Sequence, residues 1–170
     1  REIKKTKKPL KAVINAAGIA SMNMAVTTDE STVNKLISTN LMGTIYCCQL
    51  FAPLMLRRKF GNFINFSTIA VAIALKGESI YAASKAGVES FSRTFAREMS
   101  DFNVRVNCIA PGPIKTDLLR GISDLQIKKI TDQQVIAKQF NKSDICNLVD
   151  LLLDEKASSL SGLVLNVGGV

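Results

Sequence analysis

The 170-residue chain contains no histidine and no tryptophan, and only 6% of it is aromatic. Without histidine no imidazole can carry a proton, ligate zinc or hold haem iron, so His-based triads and His-ligated metal centres are excluded. Cysteine is scarce: Cys47, Cys48, Cys108 and Cys146 show no C-x-x-C spacing and have no partner histidines. They read as small apolar core residues of a reducing compartment, which points to the cytoplasm. No apolar run approaches the ~18 residues a membrane span needs, and no signal peptide is visible, so no membrane partner is expected.

The chain is 47% hydrophobic and 21% charged, a globular composition, and long enough to bury a core without staples. It reads as a single domain over residues 1–170. The net charge is +8, which invites a nucleic-acid partner. Its distribution argues against one. Arg1, Lys4, Lys5, Lys7, Lys8 and Lys11 face only Glu2 in the first eleven residues, and the remaining 159 carry just +3. No aromatic is interleaved with the basic run, which reads as a solvated stretch. The chain opens on Arg1 rather than methionine and reads as a piece of a longer protein.

Patterning predicts alternating strands and helices. Leu10–Asn15 is a β-rich run ending in a turn at Ala16-Ala17-Gly18. N-cap candidates at Thr28–Ser31 open a helical stretch to Arg58, with a kink at Pro53. Gly61–Ser67 is the second strand, Ile69–Leu75 an apolar loop, and Ile80–Ser100 the next helix. Asn103–Ile109 is the third strand, stopped by Ala110-Pro111-Gly112-Pro113. Leu118–Phe140 is irregular with a short helix. Ser143-Asp144 caps a helix through Leu153, and Gly162–Val167 is the last strand. This order indicates right-handed βαβ crossovers and a parallel sheet whose carboxyl ends gather Asn15–Gly18, Ser67 and Pro111-Gly112 on one edge.

Tyr81 and Lys85, in Tyr-Ala-Ala-Ser-Lys, stand one helical turn apart on one face. A free phenol, with a pKa near ~10, is a poor proton carrier at neutral pH, and a nearby ammonium favours phenolate. Ser67, fourteen residues before Tyr81, ends a strand facing the same crevice, where its hydroxyl can bond a substrate carbonyl. Asn40 is unfavourable in mid-helix and suggests a bulge or a packed polar role.

Taken together and in order, Asn15-Ala-Ala-Gly18, Asn40, Ser67, Tyr81-x-x-x-Lys85 and Pro111-Gly112 resemble the short-chain dehydrogenases/reductases, most of all the 3-oxoacyl-[acyl-carrier-protein] reductases of fatty acid biosynthesis. The stretches Val104–Thr116 and Ser161–Asn166 add to the resemblance, which covers nearly everything from Leu10 to Gly169. It implies a partial doubly wound, Rossmann-like parallel sheet and a hydride transfer between NADP or NAD and a carbonyl or alcohol. Tyr81 would then be the general acid, Ser67 would hold the carbonyl, and Lys85 would lower the Tyr81 pKa and bond the nicotinamide ribose. Asn40 would hold a water linking Lys85 to solvent. Asn15, Ala16 and Gly18 would line the adenosine side of the cofactor, and Pro111, Gly112, Ile114 and Thr116 the nicotinamide end.

Two departures stand out. The family's Gly-x-x-x-Gly-x-Gly turn and first strands are missing, so the chain resembles the C-terminal two-thirds of such an enzyme, with an exposed edge at the first strand. Asn166-Val-Gly-Gly stands where relatives often carry Asp after the Val. The substrate, a small molecule or an acyl thioester, would lie between Ile69–Leu75 and a cover at Leu118–Gln139. The family forms homodimers and homotetramers. Ile45, Cys48 and Phe51 on one helix and Val88, Phe91 and Phe95 on the next face either a second copy or the sheet. The alternative to an enzyme is a catalytically silent fragment used only for assembly.

Overall fold

The computed structural model describes residues 8–119 and 121–170. The basic run from Arg1 to Lys7 lies outside them, while Lys8 and Lys11 are exposed. Four parallel strands form one sheet in the order β1 (Ala12–Asn15), β2 (Gly61–Phe66), β3 (Val104–Ala110) and β4 (Val164–Asn166). Register pairs Asn15 with Asn65, Phe66 with Ile109, and Ala110 with Asn166, which aligns the carboxyl ends along one edge. This is the parallel sheet the alternation of elements predicts and the Rossmann-like architecture the resemblance implies.

Both faces of the sheet are covered, and the strands alternate between them. Phe63, Val104 and Val106 pack with Cys48, Ala52, Met55, Phe95 and Met99. Those partners come from α2 (Gly43–Leu56) and α3 (Ser79–Met99). Ile64 and Ile109 pack on the other face against Leu152 of α5 (Lys142–Leu153). Cys48, Val88 and Phe95 are thus core residues, and Phe51 and Phe91 lean on the same core. The apolar side chains that α2 leaves exposed are instead Met42 just before it, Tyr46 and Leu50. Burial pushes the Cys48 and Cys108 thiols up to about 12, so they are inert packing groups. Cys146 is exposed, against the expectation that all four cysteines are core.

Helix starts follow capping chemistry. Asp29 accepts from the Thr32 amide at 2.9 Å and opens α1 (Glu30–Leu36). Ser123 and Gln126 form a capping box on α4 (Asp124–Thr131), the short helix expected in the irregular stretch. For α5 the cap is Asn141, reciprocated by Asp144, rather than Ser143. Pro53 does not end α2, which runs on to Leu56 with Pro53 on its exposed side.

Between α1 and α2 the chain winds as a π-helix over Ile37–Met42, its last turn closed by the Gly43 amide on the Ser38 carbonyl. This is the bulge that Asn40 suggests. The inserted residue turns Asn40 inward, where it is 0% exposed.

Phe63 is also fully buried and meets Phe95 edge-on at 5.5 Å between ring centroids. Phe63→Ala in the full-length protein should therefore cost about 3–5 kcal/mol, read as a lower denaturation midpoint.

Candidate functional site at the carboxyl edge of the sheet

Asn40 organises this edge. Its Oδ1 accepts from the Ile19 amide at 2.9 Å, and its Nδ2 donates to the Ile19 carbonyl at 2.9 Å and to Ser84 Oγ at 3.0 Å. The loop leaving β1 is thereby clamped to the first turns of α3. Gly18 fits this contact because it has no side chain: a Cβ there would lie 3.2 Å from both Asn40 Oδ1 and Lys85 Nζ. Asn40, Gly18 and Lys85 therefore meet at this edge, although the resemblance places Gly18 on the adenosine side and Lys85 at the nicotinamide ribose. Lys85 Nζ donates to the Phe66 carbonyl at 2.9 Å, and burial pulls its pKa down to about 8.

Tyr81 is buried, in the first turn of α3. Burial pushes its phenol up to about 12, the nearby Thr68 hydroxyl opposes the rise, and the Glu78 carboxyl adds to it. The expected lowering of the Tyr81 pKa is therefore replaced by a rise, because removal from water outweighs the local hydrogen bond.

Ser67 does not reach Tyr81. Its hydroxyl donates to Glu89 Oε1 at 2.7 Å, beneath α3, and Glu89 also holds Arg93 at 3.2 Å. Ser67 still belongs to the β2 register, since its amide donates to the Ile109 carbonyl at 2.7 Å. Thr68, the next residue, has left the strand and supplies the hydroxyl at Tyr81. Thr68 lies one position past the expected Ser67, in line with the strand alternation that puts residues 63, 65 and 67 under α3.

Asn15 also turns inward. Its Nδ2 donates to Asn65 Oδ1 at 2.8 Å, and Asn65 continues to Ser92 Oγ at 2.8 Å. Its side chain ties β1 to β2, leaving Ala16 and Gly18 as the part of the turn that lies along the edge. Pro111 and Gly112 stand beside Thr68: the Ile69 amide donates to the Pro111 carbonyl at 3.0 Å. Ile69 and Ala70 are core rather than wall, and the later residues of that loop are more open. Ile114 is half-buried and Thr116 exposed, further along the segment after Gly112. A second residue the reading missed is Gln134, buried against Gly112. A cavity of about 610 Å³ lined by Arg93, Arg97, Val104 and Gly162 lies at the opposite end of the strands, away from these groups.

A family model described as enoyl-(acyl carrier protein) reductase matches residues 1–169. The chain belongs to this family, within the short-chain dehydrogenases/reductases. It is 35% identical over 158 residues to the 3-oxoacyl-[acyl-carrier-protein] reductase FabG of Staphylococcus epidermidis, covering 92% of this chain and 64% of that protein. It is 33% identical over 162 residues to the reductase MabA of Mycobacterium tuberculosis, covering 95% and 65%. The chain thus spans a little under two thirds of these relatives. Among solved structures, ElxO with NADP bound superposes with a TM-score of 0.87 at 26% identity, covering 98% of this chain and 68% of that one. A short chain dehydrogenase/reductase family protein superposes with a TM-score of 0.88 at 28% identity, covering 99% and 70%. Among the described residues no helix is long and apolar enough to cross a membrane.

Glu78 generates a pH prediction. It is 7% exposed, and burial alone pushes its carboxyl from 4.5 up to about 7. The cost of ionising it in the fold is absent below 4.5 and complete above about 7, so it lowers stability as pH rises through that window. Glu78→Gln in the full-length protein should remove this decline: denaturation midpoints should match the parent near pH 4 and exceed it near pH 8.

Proposed function

We propose that the enzyme containing this chain, acting in the cytoplasm, reduces a carbonyl to an alcohol, or runs the reverse reaction, with NADP(H) or NAD(H). A 3-oxoacyl thioester is the favoured substrate. The observation that carries the proposal is the hydroxyl pair of Tyr81 and Thr68 on the carboxyl edge, with Lys85 one turn along the same helix. The FabG and MabA likenesses support the substrate class, and the NADP in the ElxO structure supports the cofactor.

Tyr81 is the proton donor. At neutral pH it is a neutral phenol, the form that can give a proton to an oxygen gaining negative charge, and the Lys85 cation one turn along the helix favours that transfer. Thr68 takes the carbonyl-holding role that the resemblance assigns to Ser67, because its hydroxyl is the one beside Tyr81. Asn40 and Gly18 hold the β1 loop against Lys85, which keeps a cation at the same edge. The donor set fits a nicotinamide cofactor: Lys85 and Tyr81 offer bonds to a ribose hydroxyl, and the Pro111–Gly112 turn, Ile114 and Thr116 would hold its nicotinamide end. When bound, the cofactor supplies or takes the hydride. Asn40 remains a candidate for holding a water between Lys85 and solvent. The exposed Met42, Tyr46 and Leu50 suit burial by a second copy, in a homodimer or homotetramer.

In the full-length enzyme, Tyr81→Phe should lower turnover at least ~10²-fold with cofactor affinity little changed. Near-parental turnover would remove Tyr81 from the reaction. Sedimentation of the same protein checks assembly: a monomer at micromolar concentration with full activity would contradict the oligomer.

A further inference from the structure

The segment following α4 is held to the sheet edge by a buried amide. Gln134 is 5% exposed, and its Nε2 donates to the Ile136 carbonyl at 3.2 Å and the Lys138 carbonyl at 2.9 Å. Two carbonyl partners fix which end of the amide is nitrogen, since the flipped form would set oxygen against oxygen. The Oε1 atom must therefore face the other way. There it is fully buried and has no hydrogen-bond partner.

What Oε1 faces is the turn after β3. A Cβ built on Gly112 would stand 1.9 Å from it, so the amide occupies the space that any side chain at 112 would need. The same amide borders the turn after β4, where a Cβ on Gly168 would lie 3.1 Å from Gln134 Cδ and Gly168 adopts φ +90°. Gln134 is thus wedged between the two turns that close the carboxyl edge. The backbone attaches the segment independently: the Val135 amide donates to the Gly169 carbonyl at 3.3 Å and the Ile136 amide to the Gly168 carbonyl at 2.8 Å. Outside these bonds Val135 and Ile136 are exposed.

A buried amide with an unmade acceptor is a costly way to fill a gap, and an apolar side chain of similar size would fill it without that cost. What the amide adds is direction. Its two donors hold the Ile136 and Lys138 carbonyls while its oxygen end abuts Gly112. We propose that Gln134 is a positioning residue that sets the segment at 134–138 against the Pro111–Gly112 turn and so shapes the wall on which the substrate lies. The proposal rests on the reading of that turn as the cofactor-side edge of the site.

The test uses Gln134→Met in the full-length enzyme, which keeps the volume and removes both donors and the orphaned acceptor. Gln133→Ala, at the exposed neighbour, is the control. Four quantities are measured: the melting midpoint, amide hydrogen exchange over residues 134–140, and kcat and KM for a 3-oxoacyl thioester. The expected result is an unchanged or higher melting midpoint and faster exchange in the segment. KM should rise about fivefold with kcat within about twofold of the parent, because the wall loses its fixed position while the reacting groups stay in place. A lower melting midpoint with unchanged KM, or failure of the variant to fold, would assign Gln134 a merely structural role and overturn the proposal. Unchanged exchange would also overturn it. If the parent enzyme shows no turnover, the functional reading fails, while the exchange and melting data still decide whether Gln134 sets the segment.

Discussion

Asn40 is the contact on which the edge of the sheet depends. A completely buried amide is tolerable only when its polar atoms find partners, and this one finds three bonds on two different elements. The π-helical winding makes this possible. One extra residue rotates the next side chains by about 100° around the helix axis, bringing an otherwise misplaced asparagine to face Ile19 and Ser84. The consequences run outward from that point. The β1 loop lies flat against α3, Gly18 comes close to Lys85, and Ser84, fixed also to the Tyr81 carbonyl at 2.7 Å, links the clamp to the turn bearing the phenol.

Burial sets the electrostatics of the same region. It raises Tyr81 and Glu78 and lowers Lys85, each toward its neutral form. No carboxylate is paired with Lys85 among the described residues; a backbone carbonyl holds it instead. A site arranged in this way keeps its phenol protonated and its lysine close to the point of giving up a proton.

Much of this was legible in sequence, for identifiable reasons. The strand–helix alternation, the unusual Asn40, the Tyr81–Lys85 spacing and the Pro111-Gly112 stop are local signals, and each lies at the edge that the topology predicts. What escaped depends on side-chain parity and on contacts distant in sequence. Ser67 and Thr68 are both hydroxyl residues at a strand end, and the strand period of two decides between them. Phe63 and Asn65 face α3, so Ser67 does too, and Thr68 is the first residue free to reach Tyr81. Asn15 followed the same rule and was spent inside the sheet. Gln134 carried no local signal, because its meaning comes from two glycines, at 112 and 168, far along the chain. Spacing along a helix says nothing about how far two groups are removed from water, and burial sets the direction of the Tyr81 shift.

The central claim is that the reacting edge pairs Tyr81 with Thr68, while Ser67 belongs to the packing beneath α3. The most direct measurement compares Thr68→Ala and Ser67→Ala in the full-length enzyme, reading kcat/KM and the melting midpoint of each. The account predicts that Thr68→Ala loses about 10²-fold in kcat/KM, the usual effect of removing one oxygen-stabilising donor, with stability little changed. Ser67→Ala should keep its turnover and melt earlier, because Glu89 loses a buried donor. The reverse pattern, with turnover lost at Ser67 and kept at Thr68, would contradict it.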